Sequence, residues 1–332
     1  MLRKFIALIV ILAALAGGGA FAVWRGMHEP YRAFAGEDVF VEVPQGARTS
    51  DIATLLADAG VVRSALTFRL AVRMAKADRK LKAGEYRFIE AATPDQIITR
   101  LTRGDTFTRA LTFPEGLNIF EMAQIFEKSG MGPADDFVHA ANTVSLVSDI
   151  DPDAGTLEGY LFPSTYSLPR RAGADGLVHA MVKEFRKALG ADPLPAGVTA
   201  RELVTLASIV EKETAQSAER AEVAGVYANR LRIHMALQCD PTVIYALILR
   251  GKWDGNIRKD DLSIDSPYNT YRYPGLPPGP IASPGKASLD AARHPATSKY
   301  LYFVSRNNGT HVFAETLAEH NKNVHTFQQK RR

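Results

Sequence analysis

The stretch LVTLASIVEKET, residues 203–214, predicts a helix that packs against a core and ends in two carboxylates. Just before it, Thr199 and Glu202 stand three residues apart, the spacing of a capping box, in which each side chain satisfies an unpaired backbone N–H group. Apolar residues then recur at helical spacing. One face of this helix is therefore expected to be buried, and the residues on it are Leu203, Leu206, Ile209 and Val210.

The two glutamates at the end of this helix differ in their expected surroundings. At about 100° per residue, Glu213 falls roughly 50° from the middle of the apolar face and Glu211 roughly 110° from it. Glu213 is therefore expected to press against the core, where loss of water raises the pKa of a carboxyl group. A general acid that works near neutral pH needs such a pKa. Glu211 is expected to pair with a base or to face solvent. The alternative is an ordinary helix end with two solvated glutamates.

Composition restricts the class of protein. The chain has 332 residues, of which 46% are hydrophobic and 23% charged, enough for two globular domains and an anchor. Its net charge of +4 does not indicate a nucleic-acid binder, although it suits an anionic membrane or cell-wall polymer. The single cysteine, Cys239, excludes a disulfide within the chain, and the eight histidines show no metal-ligand spacing. We expect no metal and no cofactor.

The beginning of the chain predicts a membrane anchor. Residues 5–24 carry no charge and are long enough to cross a bilayer as a helix. Arg3 and Lys4 precede them, which predicts a cytoplasmic N-terminus and an exported remainder. The alternative is a cleaved signal peptide, because residues 20–22 read Ala-Phe-Ala, a small-x-small site. The length of the apolar run and the interfacial position of Trp24 favour the anchor.

After the anchor, the pattern predicts a small α+β module. Residues 29–38 read as a polar linker, and alternating residues predict strands at Val39–Val43 and at residues 84–89. Helices are expected from Thr49, after Ser64 and from Pro94. This organisation gives an anchor at residues 1–28, a linker and module at 29–112, and a larger domain at 113–332. Since the module carries no catalytic constellation, it is interpreted as a spacer or a binding module.

Three segments of the larger domain carry candidate binding residues. LEGYLFPSTY (157–166) and SPYNTYRYPGLPPGPIASPG (266–285) are loops rich in aromatic residues, which stack on sugar rings, and the helix that Asp240 caps begins among polar side chains. The alternative is that the aromatic residues fill the core and the second loop is only a connection. The candidates are Glu158, Tyr160, Phe162, Gln238, Asp240, Thr242, Tyr245, Tyr268, Asn269, Thr270, Tyr271, Pro277 and Pro278.

Taken together, five motifs resemble the YceG-like endolytic murein transglycosylases, the MltG family. They are ASIVEKET (207–214), LQCDPTVIYAL (237–247), YNTY (268–271), GLPPGPIASPG (275–285) and HPATSKYLYFV (294–304), in the family's order and over nearly the whole chain. The resemblance implies an α+β protein with a LysM-like module and a lysozyme-like mixed α/β catalytic domain. It also implies that Glu213 is the catalytic acid. Two positions depart from the family's pattern: Ser164 replaces a usual aspartate, and Cys239 stands where threonine also occurs.

The function that the resemblance implies is lytic cleavage of peptidoglycan. A membrane-anchored enzyme would cut the bond between N-acetylmuramic acid and N-acetylglucosamine and leave 1,6-anhydromuramyl ends, so terminating or trimming nascent strands. It would lie in the bacterial inner membrane with its catalytic domain in the periplasm, and its partners would be glycan strands, the membrane and peptidoglycan synthases. The alternative is a non-catalytic glycan-binding scaffold of the wall-synthesis machinery.

Overall fold

The protein is a mixed α+β chain that divides into two compact units, Met1–Arg109 and Ala110–Arg332. The computed structural model describes residues 2–169 and 172–329. Within these ranges the strands form three two-stranded sheets, and helices supply most of the packing surface. The expected α+β class is confirmed.

The first unit holds a small core between a two-stranded sheet and short helices. The strand β1 (Val39–Val43) runs antiparallel to β2 (Gly84–Phe88), with Val39 opposite Phe88. The buried side chains of both strands pack against the helices. Local caps explain the helix starts, since the Ser64 hydroxyl accepts the Leu66 N–H and Thr93 forms a capping box. The helices of this unit are α1 (Leu2–His28), α2 (Thr49–Asp58), α3 (Ala65–Met74) and α4 (Pro94–Arg103).

Helix α1 contains the apolar segment at the start of the chain. Its stretch Val10–His28 has a mean hydropathy of 1.5 and the length to cross a membrane, although a signal sequence meets the same criterion. The polar segment that follows was expected to be a linker. It is instead hydrogen-bonded to the unit, because Tyr31 forms an antiparallel bridge with Ala92 and the Ala33 N–H donates to the Gly60 carbonyl at 2.8 Å.

The second unit is mainly helical and surrounds one large core. Strands β3 (Arg109–Thr112) and β4 (Thr165–Leu168) form one sheet, and β5 (Tyr302–Ser305) runs antiparallel to β6 (His311–Ala314) in a hairpin. The last helix, α12, is followed by a π-helical turn at His325–Gln329. The helices are α5 (Ile119–Lys128), α6 (Ala134–Ala140), α7 (Gly173–Leu189), α8 (Ala200–Glu213), α9 (Arg220–Arg232), α10 (Asp240–Leu249), α11 (Lys286–Arg293) and α12 (Leu317–Val324).

Helix α8, the predicted helix of residues 203–214, lies at the centre of this core. It begins with the expected capping box of Thr199 and Glu202. The predicted buried face of Leu203, Leu206, Ile209 and Val210 is confirmed, and the burial extends around the helix to every residue from 203 to 210. Ser208 is accommodated in the core because its hydroxyl donates to the Thr205 carbonyl at 2.7 Å and accepts the Ile281 N–H at 3.1 Å.

The loop at residues 157–166 packs directly on this central helix. Gly159 makes the approach possible, since its φ of +82° is a left-handed conformation that favours glycine. A Cβ atom there would lie 2.5 Å from Pro280 Cβ and 2.9 Å from a Val204 methyl group. The loop therefore contributes to the core, where Leu157, Tyr160 and Leu161 are fully buried.

Candidate active site

Glu213, the last residue of α8, lies on the wall of a cavity of about 630 Å³. This open cavity is lined by the end of α8, by α9, by the start of α10, by the β5–β6 hairpin and by α12. The side chain is partly buried. A carboxyl group is thus presented to a space large enough for part of a polysaccharide chain. Other lining residues are Lys212, Tyr227, Arg230, Gln238, Asp240, Tyr271, Tyr302, His311 and His320.

The surroundings of Glu213 favour the protonated acid. Burial is the largest influence and raises its pKa, and the negative charge of Asp240 acts in the same direction. Two hydrogen bonds partly oppose this effect: the Cys239 thiol donates to Oε1 at 3.0 Å, and the Tyr227 hydroxyl also bonds the carboxyl group. The net pKa is raised, as the position of Glu213 on the helix predicted.

Cys239 stays a thiol in this position. Burial is the main cause of its raised pKa, and the neighbouring Glu213 charge raises it further. A protonated thiol can donate to the carboxyl group but cannot act as a thiolate nucleophile. Its role next to Glu213 is therefore that of a hydrogen-bond donor.

Two buried threonines fix the backbone of Cys239. Its N–H donates to the Thr270 Oγ1 at 3.0 Å, and its carbonyl accepts from the Thr242 hydroxyl at 2.7 Å. The two hydroxyl groups are themselves 2.8 Å apart. Thr242 and Thr270, both predicted binding residues, are thus placed behind the cavity wall, where they hold the thiol toward Glu213.

The loop after residue 266 supplies a further cavity residue. The Tyr271 hydroxyl donates to Asp240 Oδ1 at 2.6 Å, and both side chains line the cavity. Asn269 is fully buried. Its side-chain amide donates to the carbonyl groups of Leu262 and Ile264 and so fixes the start of this loop. Of the predicted residues, the structure brings four together around this cavity: Glu213, Gln238, Asp240 and Tyr271.

The other predicted residues do not line this cavity. A second cavity, of about 240 Å³, is lined by Glu158, Tyr160, Tyr268 and Pro278 together with an ion pair of Asp151 and Arg201. Tyr245 lies beside it, with its ring 5.0 Å from that of Tyr268. Phe162 packs against the core of the unit, and Pro277 is buried.

Glu158 is a buried carboxyl group of this second cavity, without a basic partner among the residues that the structure describes. It is only 3% exposed, and the Ile119 N–H and the Tyr245 hydroxyl donate to its Oε2 at 3.1 and 3.0 Å. Burial outweighs these bonds and raises its pKa to about 7. Because its hydrogen bonds join α5 and α10, Glu158 has a clear structural role.

Glu211 has different neighbours from Glu213. Its side chain is 6% exposed, and its Oε1 accepts from Arg220 at 2.9 Å. Its Oε2 accepts the N–H of Gly285, the residue that caps α11, at 2.9 Å. Of the two expectations for Glu211, pairing with a base is confirmed and exposure to solvent is wrong, since the central helix is surrounded on that side as well.

Some cavity residues were missed by the sequence analysis. Tyr227 lies on α9, and its hydroxyl reaches Glu213. Arg230, one turn further on, donates to the Leu301 carbonyl at 2.7 Å and to the Leu237 carbonyl at 2.6 Å. A buried tyrosine and arginine on one helix are a signal of a polar site, because both need polar partners when buried.

His311 also lines the cavity, but it is engaged by another residue. Its ring Nδ1 lies 2.7 Å from Glu219 Oε2, and its N–H donates to Glu219 Oε1. Burial opposes ionisation of Glu219, but the two hydrogen bonds outweigh it and lower the pKa of this carboxyl group. In the described part of the chain, no three His, Cys, Asp or Glu side chains are grouped so as to hold a metal ion.

Comparisons with known proteins agree on one family. A sequence model of the YceG-like family matches residues 41–326. A protein of Bacillus subtilis strain 168 named endolytic murein transglycosylase is 34% identical over 324 residues, which cover 92% of this chain and 89% of that protein. A protein of the same name from Streptococcus pneumoniae strain D39 is 32% identical over 356 residues, 96% of this chain but 64% of that protein. The 2.6 Å crystal structure of a YceG-like protein from Listeria monocytogenes is 33% identical, with a TM-score of 0.57 over 87% of this chain and 100% of that one.

Proposed function

The chain belongs to the YceG-like family, and we infer that it is a lytic murein transglycosylase, the activity named for its relatives in Bacillus subtilis and Streptococcus pneumoniae. The observation that carries the proposal is the position of Glu213, a carboxyl group with a raised pKa on the wall of the larger cavity. We propose that its substrate is the glycan strand of peptidoglycan and that it cuts within the strand.

Glu213 performs both proton transfers in the proposed reaction. Its carboxyl group donates a proton to the oxygen that joins N-acetylmuramic acid to N-acetylglucosamine, and the bond to C1 breaks. The resulting carboxylate then accepts the proton of the muramyl C6 hydroxyl as that oxygen closes on C1. The products are a 1,6-anhydromuramyl end and a free sugar hydroxyl, and no water is consumed. One carboxyl group is enough because the first step produces the base that the second step needs.

The neighbours of Glu213 support this double role. Burial raises the pKa of Glu213 and so favours the protonated acid that the first transfer needs, while the Tyr227 and Cys239 donors stabilise the carboxylate that forms after it. Asp240, Tyr271 and Gln238 offer polar groups to sugar hydroxyls on the same wall of the cavity. We assign them to substrate binding.

The proposed location follows from the first helix. We propose that α1 anchors the protein in the bacterial inner membrane with its N-terminus in the cytoplasm and the catalytic unit on the other side. The apolar length of α1 supports a membrane span, and Arg3 and Lys4 support this orientation. We further propose that residues 29–112 form a LysM-like binding module, that the catalytic domain is lysozyme-like and that the enzyme trims strands made by peptidoglycan synthases.

The experiment is an analysis of the products formed from purified glycan strands. We expect internal fragments whose ends lack the mass of one water, as a 1,6-anhydromuramyl residue does. Fragments with ordinary reducing ends would show hydrolysis and contradict the non-hydrolytic step. Binding without any cleavage would contradict catalysis and support a glycan-binding scaffold.

A further inference from the structure

Helix α3 exposes an apolar stripe. Leu66, Leu70 and Met74 are 59%, 37% and 70% exposed. They are spaced four residues apart and so lie within about 80° of one another around the helix axis. The opposite side of the helix, with Phe68 and Val72, is buried in the core of the first unit. The stripe is thus a second apolar surface that the fold leaves uncovered.

Basic residues flank this stripe. Arg69 and Arg73 are exposed, and at about 100° per residue they follow one edge of it. Neither forms an ion pair with any residue that the structure describes. Helix α3 contains no acidic residue, and residues 63–82 hold seven basic residues and one acidic residue. The surface therefore combines apolar side chains with a strong positive charge.

The end of α1 packs against the same helix. Gly26 is buried, and a Cβ atom added to it would lie 2.8 Å from the Thr67 methyl group. Thr67 lies about 20° beyond Met74 around α3, so the stripe borders the contact with α1. On the outer side of α1, Trp24 is 53% exposed and stacks on Phe21 and His28. Tryptophan at this position is typical of the membrane–water interface.

We propose that the exposed stripe of α3 lies in the surface of an anionic phospholipid bilayer. Helix α1 fixes the depth of α3, because its last turn holds α3 beside the end of the apolar span. Leu66, Leu70 and Met74 enter the boundary between headgroups and acyl chains, and Arg69 and Arg73 extend to the lipid phosphates. The first unit is then held against the membrane at two places. This inference rests on the proposed membrane anchor.

The experiment places a spin label on the stripe of the full-length chain in lipid vesicles. Met74→Cys provides the test position and Gln124→Cys, on an exposed side of α5, the control. The native Cys239 is 1% exposed, so the label attaches to the introduced cysteine. Collision rates with oxygen, which enters the bilayer, and with a water-soluble nickel chelate are measured in vesicles of phosphatidylcholine with and without phosphatidylglycerol. Flotation on a density gradient shows whether the chain is bound to the vesicles.

We expect the label at position 74 to favour oxygen over the chelate in anionic vesicles, and the label at 124 to favour the chelate. Adding Arg69→Glu and Arg73→Glu should shift the label at 74 toward the chelate while the protein still floats with the vesicles. Floating protein with equal chelate access at both positions would overturn the inference and leave the anchor intact. Protein that does not float with the vesicles would overturn both the inference about α3 and the proposed membrane anchor. Spin–spin broadening at 74 would show that a second copy covers the stripe, which also overturns the inference.

Discussion

At the scale of the residue, the proposed chemistry depends on opposing influences on one carboxyl group. Burial raises the pKa of Glu213, while the Cys239 thiol and the Tyr227 hydroxyl lower it. The position of Glu213 on its helix was enough to predict the raised pKa. The two donors could not be predicted in the same way, because they come from α9 and from the residue before α10, and only the tertiary fold brings these to the end of α8.

The first prediction concerns these donors. Tyr227→Phe and Cys239→Ala each remove a hydrogen bond that favours the carboxylate, so the pKa of Glu213 should rise further. The reaction begins with the protonated acid. The fall of kcat/KM at alkaline pH, the alkaline limb of the pH profile, should therefore move to higher pH. Cys239→Thr keeps a donor and should retain most activity with an unshifted limb. Measured pH profiles of the three variants decide this point. An unmoved limb in both Tyr227→Phe and Cys239→Ala, or an inactive but folded Cys239→Thr, would contradict it.

The second prediction concerns Glu158. The fold raises the pKa of Glu158 from 4.5 to about 7, so the folded protein favours the protonated carboxyl group. The stability that this protonated group contributes is complete below pH 4.5 and is lost as the pH rises to about 7. Glutamine keeps an acceptor for Ile119 and Tyr245 without a charge. Glu158→Gln should therefore match the wild type at low pH and gain up to about 3 kcal/mol above pH 7. Thermal melts of both proteins from pH 4 to 8 provide the measurement. A difference that shrinks as the pH rises would be inconsistent with a buried, unfavourably charged Glu158.

Among the helices and strands, the features that depend on neighbouring residues in the sequence could be predicted better than those that depend on tertiary packing. The starts of α4 and α8 were predictable because Thr93 and Thr199 form caps with residues three positions later. The separation of the binding residues into two cavities was not predictable, since it depends on which helix each loop packs against. The burial of residues 203–210 on all sides of α8 was also hidden, because Thr205 and Ser208 look like solvent-facing residues in the sequence but lie in the core.

Replacing Glu211 by glutamine should lower the stability of the second unit. Its ion pair with Arg220 and its bond to the Gly285 N–H connect α8 with α9 and α11. Glu211→Gln removes the charge and leaves Arg220 with the more exposed Glu115 at 3.5 Å. Breaking a buried pair costs about 3–5 kcal/mol, so the melting temperature should fall clearly. Glu184→Gln on α7 is the matched control, because its pair with Lys187 is exposed and worth at most about 1 kcal/mol. Equal melting temperatures for the two variants would show that the buried pair contributes nothing.

At the scale of the whole molecule, the sequence predicted an apolar N-terminal segment followed by globular structure, and the structure has this arrangement. The polar residues after the segment suggested a free linker because their composition resembles one. Tyr31 and Ala33 are instead bonded to the first unit by backbone contacts that composition cannot reveal.

The prediction at this scale is one membrane crossing with everything after about residue 28 outside the cytoplasm. A reporter that is active only after export, fused to the C-terminus, should be active, and the protein should stay with the membrane after a salt wash. A matched fusion in which Arg3 and Lys4 are replaced by glutamate should lose the preferred orientation. A mature protein free of the membrane, with its N-terminus near Val23, would show that the segment is a cleaved signal peptide.

The role of Glu213 is tested most directly by the rate at which anhydromuramyl products appear with Glu213→Gln, compared with Glu211→Gln. Glutamine keeps the shape of Glu213 but cannot transfer its proton, and general acid–base catalysis contributes about 10²–10⁴-fold. We expect Glu213→Gln to stay folded and to lose at least that factor in kcat. Glu211→Gln should be less stable but should release these products at a temperature where it remains folded. A folded Glu213→Gln with near wild-type turnover, or a folded Glu211→Gln that forms no product, would contradict the assignment of Glu213 as the catalytic acid.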